Sequence, residues 1–387
     1  MFAAVTKAPF FCLVALVAGV ALSGCSPPVV RDSASSRGSP SPGLPMGGRV
    51  LFSAGGEDLW SSLPDGGDRE RITTDGKTTG DYYVGGRWSP DGRVIAAERS
   101  MAHESGNALY LIELAGHSAL RLTQPDTFLD GYSWSPDGRL LAYAEVTSGG
   151  TLAAGGTLSG GVGAVHVYDR AARTDRIVAP GNHPAFSPDG RLIGFAHAAG
   201  AVAVVPPEGG AATFLANLPE LSRYSILAAP KGMALLSGPA WSSDGRYVAY
   251  SAIERGPILE ALQVIYVQEA LPNAPPHQWA IGKTGAAHHV ADLRWSPTAP
   301  VLAYAFIYAQ PHHHYLGTID PSRADLHPLF DSANHFLDYS WSPDGSTILL
   351  QIDDSDEWVY IAAGTGAIVR RSTPGGWRPD WCRCPTN

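Results

Sequence analysis

The feature that most constrains this chain is a five-residue turn that returns six times. It reads Trp88-Ser-Pro-Asp-Gly-Arg93, Trp134-Ser-Pro-Asp-Gly-Arg139, Phe186-Ser-Pro-Asp-Gly-Arg191, Trp241-Ser-Ser-Asp-Gly-Arg246, Trp295-Ser-Pro297 and Trp341-Ser-Pro-Asp-Gly345. The aromatic residues lie 46, 52, 55, 54 and 46 residues apart. A weaker relative, Trp377-Arg-Pro-Asp380, follows. A fixed aromatic at a period near fifty residues is the mark of an array of propeller blades. The residue types recur together for physical reasons. Ser accepts backbone hydrogen bonds at the first position, Pro presets φ at the second, Asp suits the third, and Gly takes the left-handed conformation that closes the hairpin.

Each turn leads into an apolar strand: Val94 to Ala97, Leu140 to Ala144, Leu192 to Ala196, Tyr247 to Ser251, Val301 to Phe306 and Thr347 to Gln351. A third strand follows in segments such as Ala108 to Glu113, Ala164 to Tyr168, Val264 to Gln268 and Trp358 to Ala362, and a shorter fourth in Ala119 to Thr123 and Arg176 to Val178. Four strands per period make one blade. At the ends, Arg49 to Ser53, Asp58 to Leu63 and Arg69 to Thr73 supply three strands of a blade that lacks its first, and Trp377 to Cys384 supplies a first strand that lacks its blade. The expectation is an all-β, seven-bladed propeller over 49–384, with the N- and C-terminal strands closing one blade; six blades are the alternative. Joining the termini in this way removes open sheet edges.

The remaining composition agrees. The 387 residues include 44 Gly and 31 Pro, with 16% charged residues, which suits many short strands and tight turns. A net charge of -9 with no Lys/Arg cluster leaves no footprint for nucleic acid.

The first residues read as an address. Lys7 precedes the apolar run Ala8 to Leu22, which has the length of a signal-peptide core and is short for a transmembrane helix. Leu22-Ser-Gly-Cys25 resembles the bacterial lipobox, which implies a signal peptide over 1–24 and a diacylglycerol on the thiol of Cys25. Two or three acyl chains on one residue anchor stably, where a single chain is marginal. Residues 25–48, rich in Ser, Pro and Gly, read as a disordered spacer. Only Cys382 and Cys384 then remain, too few for a disulfide framework. Such a Cys-x-Cys pair bridges, binds a metal with outside help, or sits reduced in a final strand; a structural role is the expectation.

The Trp-Ser-Pro-Asp-Gly-Arg units, with their apolar strands, resemble the repeats of the TolB-type propeller family across nearly all of 49–384. The resemblance implies the fold and says much less about function. The protein that gives the family its name carries an α/β domain before its propeller, where this chain has the spacer, so its envelope partnership is not carried over. The unit at Trp295-Ser-Pro-Thr-Ala-Pro300 departs from the pattern, so its hairpin is expected to close differently.

Recognition is expected on the variable loops of one face: Ser148 to Gly163, Leu215 to Pro239, Gln310 to Tyr315 and Asp353 to Glu357. His312 and His314 share one side of an extended stretch and fall near Asp353, Asp354 and Asp356 in neighbouring blades, an arrangement open to metal binding. Some propeller lyases acting on uronate oligosaccharides use a His/Gln-bound metal, and Gln310, His312 and His314 bear a faint likeness to that set. The spacing fits no established motif, so a solvated hairpin is the preferred reading. The acidic run Asp353 to Glu357 lacks the glycine and downstream Glu of a calcium loop and reads as a solvated tip. No Gly-x-Ser-x-Gly elbow occurs. The resulting expectation is a monomeric, membrane-anchored envelope lipoprotein that binds a protein or glycan without catalysis, needing no cofactor or metal. The alternative is a metal-dependent polysaccharide lyase or hydrolase.

Overall fold

The computed structural model describes residues 47–382, apart from 55–57, 77–79, 103, 105–106, 117, 148–150, 153–157, 160–162, 198–200, 218–234, 256–260, 285–288, 310–311, 324, 333–335, 353–356 and 373–375. Every described strand pairs antiparallel with its neighbours, and almost every one belongs to a meander. The chain ends share the first sheet, in which β1 (Val50–Ala54), β2 (Asp58–Ser62) and β3 (Glu70–Arg71) are joined by β29 (Trp377–Trp381), with Val50 opposite Trp381. The next sheet is β4 (Tyr82–Trp88), β5 (Val94–Ser100), β6 (Asn107–Glu113) and β7 (Ser118–Arg121).

A seven-stranded sheet follows, made of β8 (Thr127–Trp134), β9 (Leu140–Thr147), β12 (Ala164–Asp169), β13 (Thr174–Phe186), β14 (Ile193–His197), β15 (Ala201–Val205) and β16 (Thr213–Asn217). A hairpin of β10 (Thr151–Leu152) and β11 (Leu158–Ser159) stands apart. Three four-stranded sheets complete the body. They are β17 (Leu235–Trp241) to β18 (Tyr247–Arg255), β19 (Ala261–Glu269) and β20 (His277–Thr284); β21 (His289–Trp295) to β22 (Leu302–Ala309), β23 (His312–Asp320) and β24 (Asp325–Ser332); and β25 (Phe336–Trp341) to β26 (Thr347–Ile352), β27 (Glu357–Ala362) and β28 (Ile368–Ser372).

The all-β, propeller-type reading holds, but the count of seven blades, or of six, closed by the terminal strands is corrected. The described strands make five four-stranded sheets, one of them taking β29 from the far end of the chain, and one continuous sheet of seven. The cause is β13. Its first half pairs with β12 and its second half with β14, so an outer strand runs into the next inner strand with no loop between. The Pro180-Gly-Asn-His-Pro184 stretch looks like a turn in sequence, yet Pro180 pairs with Ala164 and Gly181 with His197. Gly181 makes this possible, because a Cβ there would lie 2.5 Å from the carbonyl of Ala196 and 2.5 Å from the Phe195 ring. The seven-stranded sheet curls until its halves face one another, with Val165 and Val167 packed against Phe186, Ile193 and Phe195.

Packing between successive sheets supplies the rest of the core. Leu51, Leu59 and Ile72 meet Tyr83, Trp88 and Ile95; Val202, Val204 and Leu215 meet Val248 and Tyr250; Leu349, Trp358 and Tyr360 meet Val50, Phe52 and Trp381. Middle strands are thus covered on both faces, which is why β26 reads Thr-Ile-Leu-Leu-Gln-Ile with every residue buried and without polar alternation.

The recurring turns close as their chemistry requires. In the turn after Trp134, the Ser135 hydroxyl donates to Asp137 Oδ1 at 2.6 Å and accepts from the Leu140 N–H at 2.8 Å, while Asp137 Oδ1 accepts from the Arg139 N–H at 3.0 Å. The same three bonds recur at Ser89, Ser187, Ser242 and Ser342. Gly138 sits at φ 69° and lies against Pro90 of the preceding turn, and Gly190 likewise against Pro136. The divergent unit closes differently, as expected: the Thr298 hydroxyl donates across to the carbonyl of Asp344 in the next turn. The aromatic residues also link neighbours. The indole N–H groups of Trp134, Trp241, Trp295 and Trp341 donate to the carbonyls of Arg87, Ala185, Ala240 and Arg294, each one inner strand earlier.

Candidate binding site on the inner strands

The strands β4, β8, the second half of β13, β17, β21, β25 and β29 follow one another around the inside of the body, since each abuts the next and the bond from Trp134 to Arg87 links β8 to β4. Each carries a register irregularity a few residues before its aromatic: at Tyr83/Gly85, Leu129/Tyr132, Asn182/Ala185, Ser237/Ala240, Ala291/Leu293, Phe336/Asp338 and, against β1, near Trp377. Bulges of this kind re-aim side chains and gather near functional sites.

The position three residues before the aromatic, which in β29 is Trp381, is Gly85, Gly131, His183, Gly238, Asp292, Asp338 and Arg378 in turn. The large residues fill space that the glycines leave. A Cβ on Gly85 would lie 2.9 Å from Cδ of Arg378, and one on Gly238 would lie 2.0 Å from Cβ of His183. His183 and Arg378 both adopt left-handed backbone, at φ 51°. For a non-glycine residue this costs about 1–2 kcal/mol, a strain kept where the surroundings over-determine it. The surroundings do so at Arg378, whose N–H donates to Gln351 Oε1 at 3.0 Å, while the Trp358 indole holds the carbonyl of Gly376 at 3.1 Å.

Charged groups from different strands meet at these bulges. Asp130 Oδ1 lies 3.2 Å from His183 Nδ1, Arg294 reaches Asp338 at 2.8 Å, and Arg378 reaches Glu98 at 3.1 Å. Deeper in the ring, Asp380 Oδ2 accepts the N–H of Trp88 at 2.9 Å. Burial pushes the Asp380 carboxyl above the usual range, against the pull of Arg87, the Trp88 N–H and Arg294. Arg87 lies over the Tyr132 ring, 5.7 Å from its centroid, and burial raises that phenol. The arrangement is a polar wall with both signs of charge, suited to holding a polar ligand by charge-assisted hydrogen bonds.

The residues singled out in sequence fare differently. Cys25, Cys384, Gln310 and Asp353 to Asp356 lie outside the described residues, as do most of 148–163 and 215–239. Cys382 is disulfide-bonded and its N–H donates to the carbonyl of Arg49. His312 and His314 both fall in β23, but only the His314 side chain is described, and it is buried rather than solvated. Among the described residues no group of three His, Cys, Asp or Glu side chains is arranged to hold a metal, and no helix is long and apolar enough to cross a membrane. Sequence reasoning passed over Asp130, His183, Arg294, Asp338 and Arg378. Aligning the repeats on their aromatic, with Trp381 in place of Trp377 in the last, would have exposed His183, Asp338 and Arg378 at a position that three repeats keep as glycine, and Asp130 beside it.

Comparison with solved structures places the body among β-propellers. The chain is similar to the β-propeller domain of Cps50 (Swd1) from Myceliophteria thermophila, at 13% identity and a TM-score of 0.50, with 76% of this chain and 86% of that one covered. It is similar to an oligogalacturonate lyase in complex with manganese, at 13% identity and a TM-score of 0.50, covering 85% and 84% of the two chains. TolB from Acinetobacter baumannii aligns at 13% identity and a TM-score of 0.47, covering 87% and 66%. At these identities the likeness is one of fold. No family model and no curated protein matches the sequence.

Proposed function

We propose that this chain is a lipid-anchored protein of the cell envelope whose propeller-type body binds a protein or glycan ligand without catalysis, at the bulged inner strands. In this reading residues 1–24 are a signal peptide, Cys25 carries the lipid, 25–48 are the spacer and 49–384 form the binding body. The observation that carries the binding role is the strain at His183 and Arg378. Two side chains are held in costly backbone conformations on the inner wall, each beside a carboxylate from another strand. The disulfide at Cys382 supports export, since such bonds persist in oxidising compartments.

Metabolic labelling with an alkynyl fatty acid tests the anchor. Wild type takes up label and partitions with membranes, and Cys25→Ala loses both; equal labelling of the two would overturn it. Proximity labelling from the tethered protein tests the binding role. A partner set that disappears when Asp130, Asp338 and Arg378 are replaced together supports the inner-strand site, and an unchanged set refutes it.

A further inference from the structure

We infer that Asp130 and His183 form a subsite for a primary ammonium group, the lysine side chain or free amino terminus of a protein ligand. The inference rests on the binding role proposed above and names the chemistry of the ligand. Four aspartates are buried among the described residues: Asp58, Asp81, Asp130 and Asp169. Three of them are neutralised from within. Asp58 pairs with Arg71 and accepts the N–H of Gly76. Asp81 lies 3.2 Å from Arg99 and accepts the N–H of Ala102 at 2.9 Å. Asp169 lies 2.6 Å from Arg139 and accepts the N–H of Ala171 at 2.9 Å. Among the described residues Asp130 has neither an arginine nor a backbone donor. Its one partner is His183, with 3.2 Å between Oδ1 and Nδ1, and its Oδ2 is buried without a hydrogen bond. A buried carboxylate held in this way is costly until a cation answers it.

The backbone is arranged to bring the pair together. Glycines on both neighbouring strands admit the histidine: a Cβ on Gly131 of β8 would lie 3.3 Å from the Cα of His183, and one on Gly238 of β17 would lie 2.0 Å from its Cβ. Gly131 at φ 86° and His183 at φ 51° are both left-handed, which for the histidine is strain. The open part of the pair is the imidazole. Its side chain is 20% exposed, and Nε2 is neither bonded to another described group nor sealed from solvent. A carboxylate beside Nδ1 draws the proton to that nitrogen, which leaves Nε2 as an acceptor strengthened by the charge behind it. The pair thus presents a negative charge and an acceptor, and no donor. A hydroxyl meets the acceptor but not the charge, and an anion is repelled. The flat fork of a guanidinium wants two parallel acceptors, which a single ring nitrogen does not supply. A primary ammonium, a compact cation with donors on every side, meets both demands.

Stability supplies the control. If Asp130 served only to brace the strands through His183, Asp130→Asn would melt lower than wild type. In the subsite reading the unmatched charge burdens the empty protein, so Asp130→Asn keeps or raises the melting temperature while losing the ligand.

The experiment is calorimetric titration of the full chain with N-acetyl-trilysine amide, with the same peptide acetylated on its side chains, with N-acetyl-triarginine amide of equal charge, and with trialanine amide, whose cation is its amino terminus. Trilysine, trialanine amide or both are expected to bind; binding of one alone assigns the ammonium to the side chain or to the terminus. Triarginine is expected to bind more weakly, and Asp130→Asn and His183→Gln each to weaken ammonium binding by about tenfold or more. Equal binding of triarginine or of the acetylated peptide, wild-type affinity in both variants, or a lower melting temperature for Asp130→Asn would overturn the inference. Absence of binding by both ammonium peptides would also overturn it. If the proximity-labelled partner set still disappears when Asp130, Asp338 and Arg378 are replaced together, the binding role stands and only the ligand class fails.

Discussion

Gly238 of β17 and His183 of β13 touch backbone to side chain, with the space for a Cβ on the glycine already taken by the Cβ of the histidine. Gly238→Ala forces one strand away from the other, and overpacking of this kind costs about 1–3 kcal/mol. Gly116→Ala has open space and is expected to be silent. Thermal unfolding of the two variants checks the contrast: Gly238→Ala melts several degrees lower, and Gly116→Ala melts with the wild type.

The repeated turns should be individually replaceable but not free. Asp189 accepts from the Ser187 hydroxyl and the Arg191 N–H, so Asp189→Ala removes two bonds on the surface. A loss of about 1 kcal/mol is expected, with ligand binding unchanged. Denaturant unfolding measures it, and a loss of binding would show that this face does more than hold the hairpin.

Stability should fall in acid. Hydrogen bonds from the Ser135 and Ser187 hydroxyls hold the carboxyls of Asp137 and Asp189 below the ordinary range, and the bond from Arg139, with the N–H groups of Ala172 and Ala171, lowers Asp169 from 3.8 to about 2. A carboxyl with a lowered folded-state pKa stabilises fully above its unfolded value, and that contribution disappears as the pH drops through the folded value. The melting temperature is therefore expected to be flat near neutrality and to decline from about pH 4 toward pH 2. Asp169→Asn should melt lower at pH 7 and show a shallower decline.

The indole bonds between inner strands give a fourth test. Trp341→Phe keeps the apolar ring but leaves the carbonyl of Arg294 without its 2.9 Å donor. A cost of about 1–3 kcal/mol is expected in chemical denaturation. Trp88→Phe should cost less, because its indole N–H has no partner among the described residues.

Much of this body could be read in advance, because the Ser-Pro-Asp-Gly turn is a local device whose bonds close within six residues. Its position fixed where inner strands end and second strands begin, and even the misfit at Thr298 was visible. Sheet count was less legible. Pro180 and Pro184 carry the usual signals of a loop, and only the close approach of Gly181 to Ala196 and Phe195, a contact made in three dimensions, turns that stretch into strand. The inner-wall residues were hidden for another reason. Asp130, Arg294 and Arg378 acquire meaning from partners on other strands, and Glu98 lies 280 residues from Arg378. No local pattern reports such a meeting.

The pairing of β29 with β1 also sets an order of events. Val50 is made long before Trp381, and until Trp381 arrives its strand has no neighbour on that side. Until β29 is made the body therefore presents an unmatched edge, the kind that recruits other chains. A chain halted before β29 would carry nearly all of the described core and still present that edge at high concentration, so the arrival of one short strand, rather than collapse, is what quiets it.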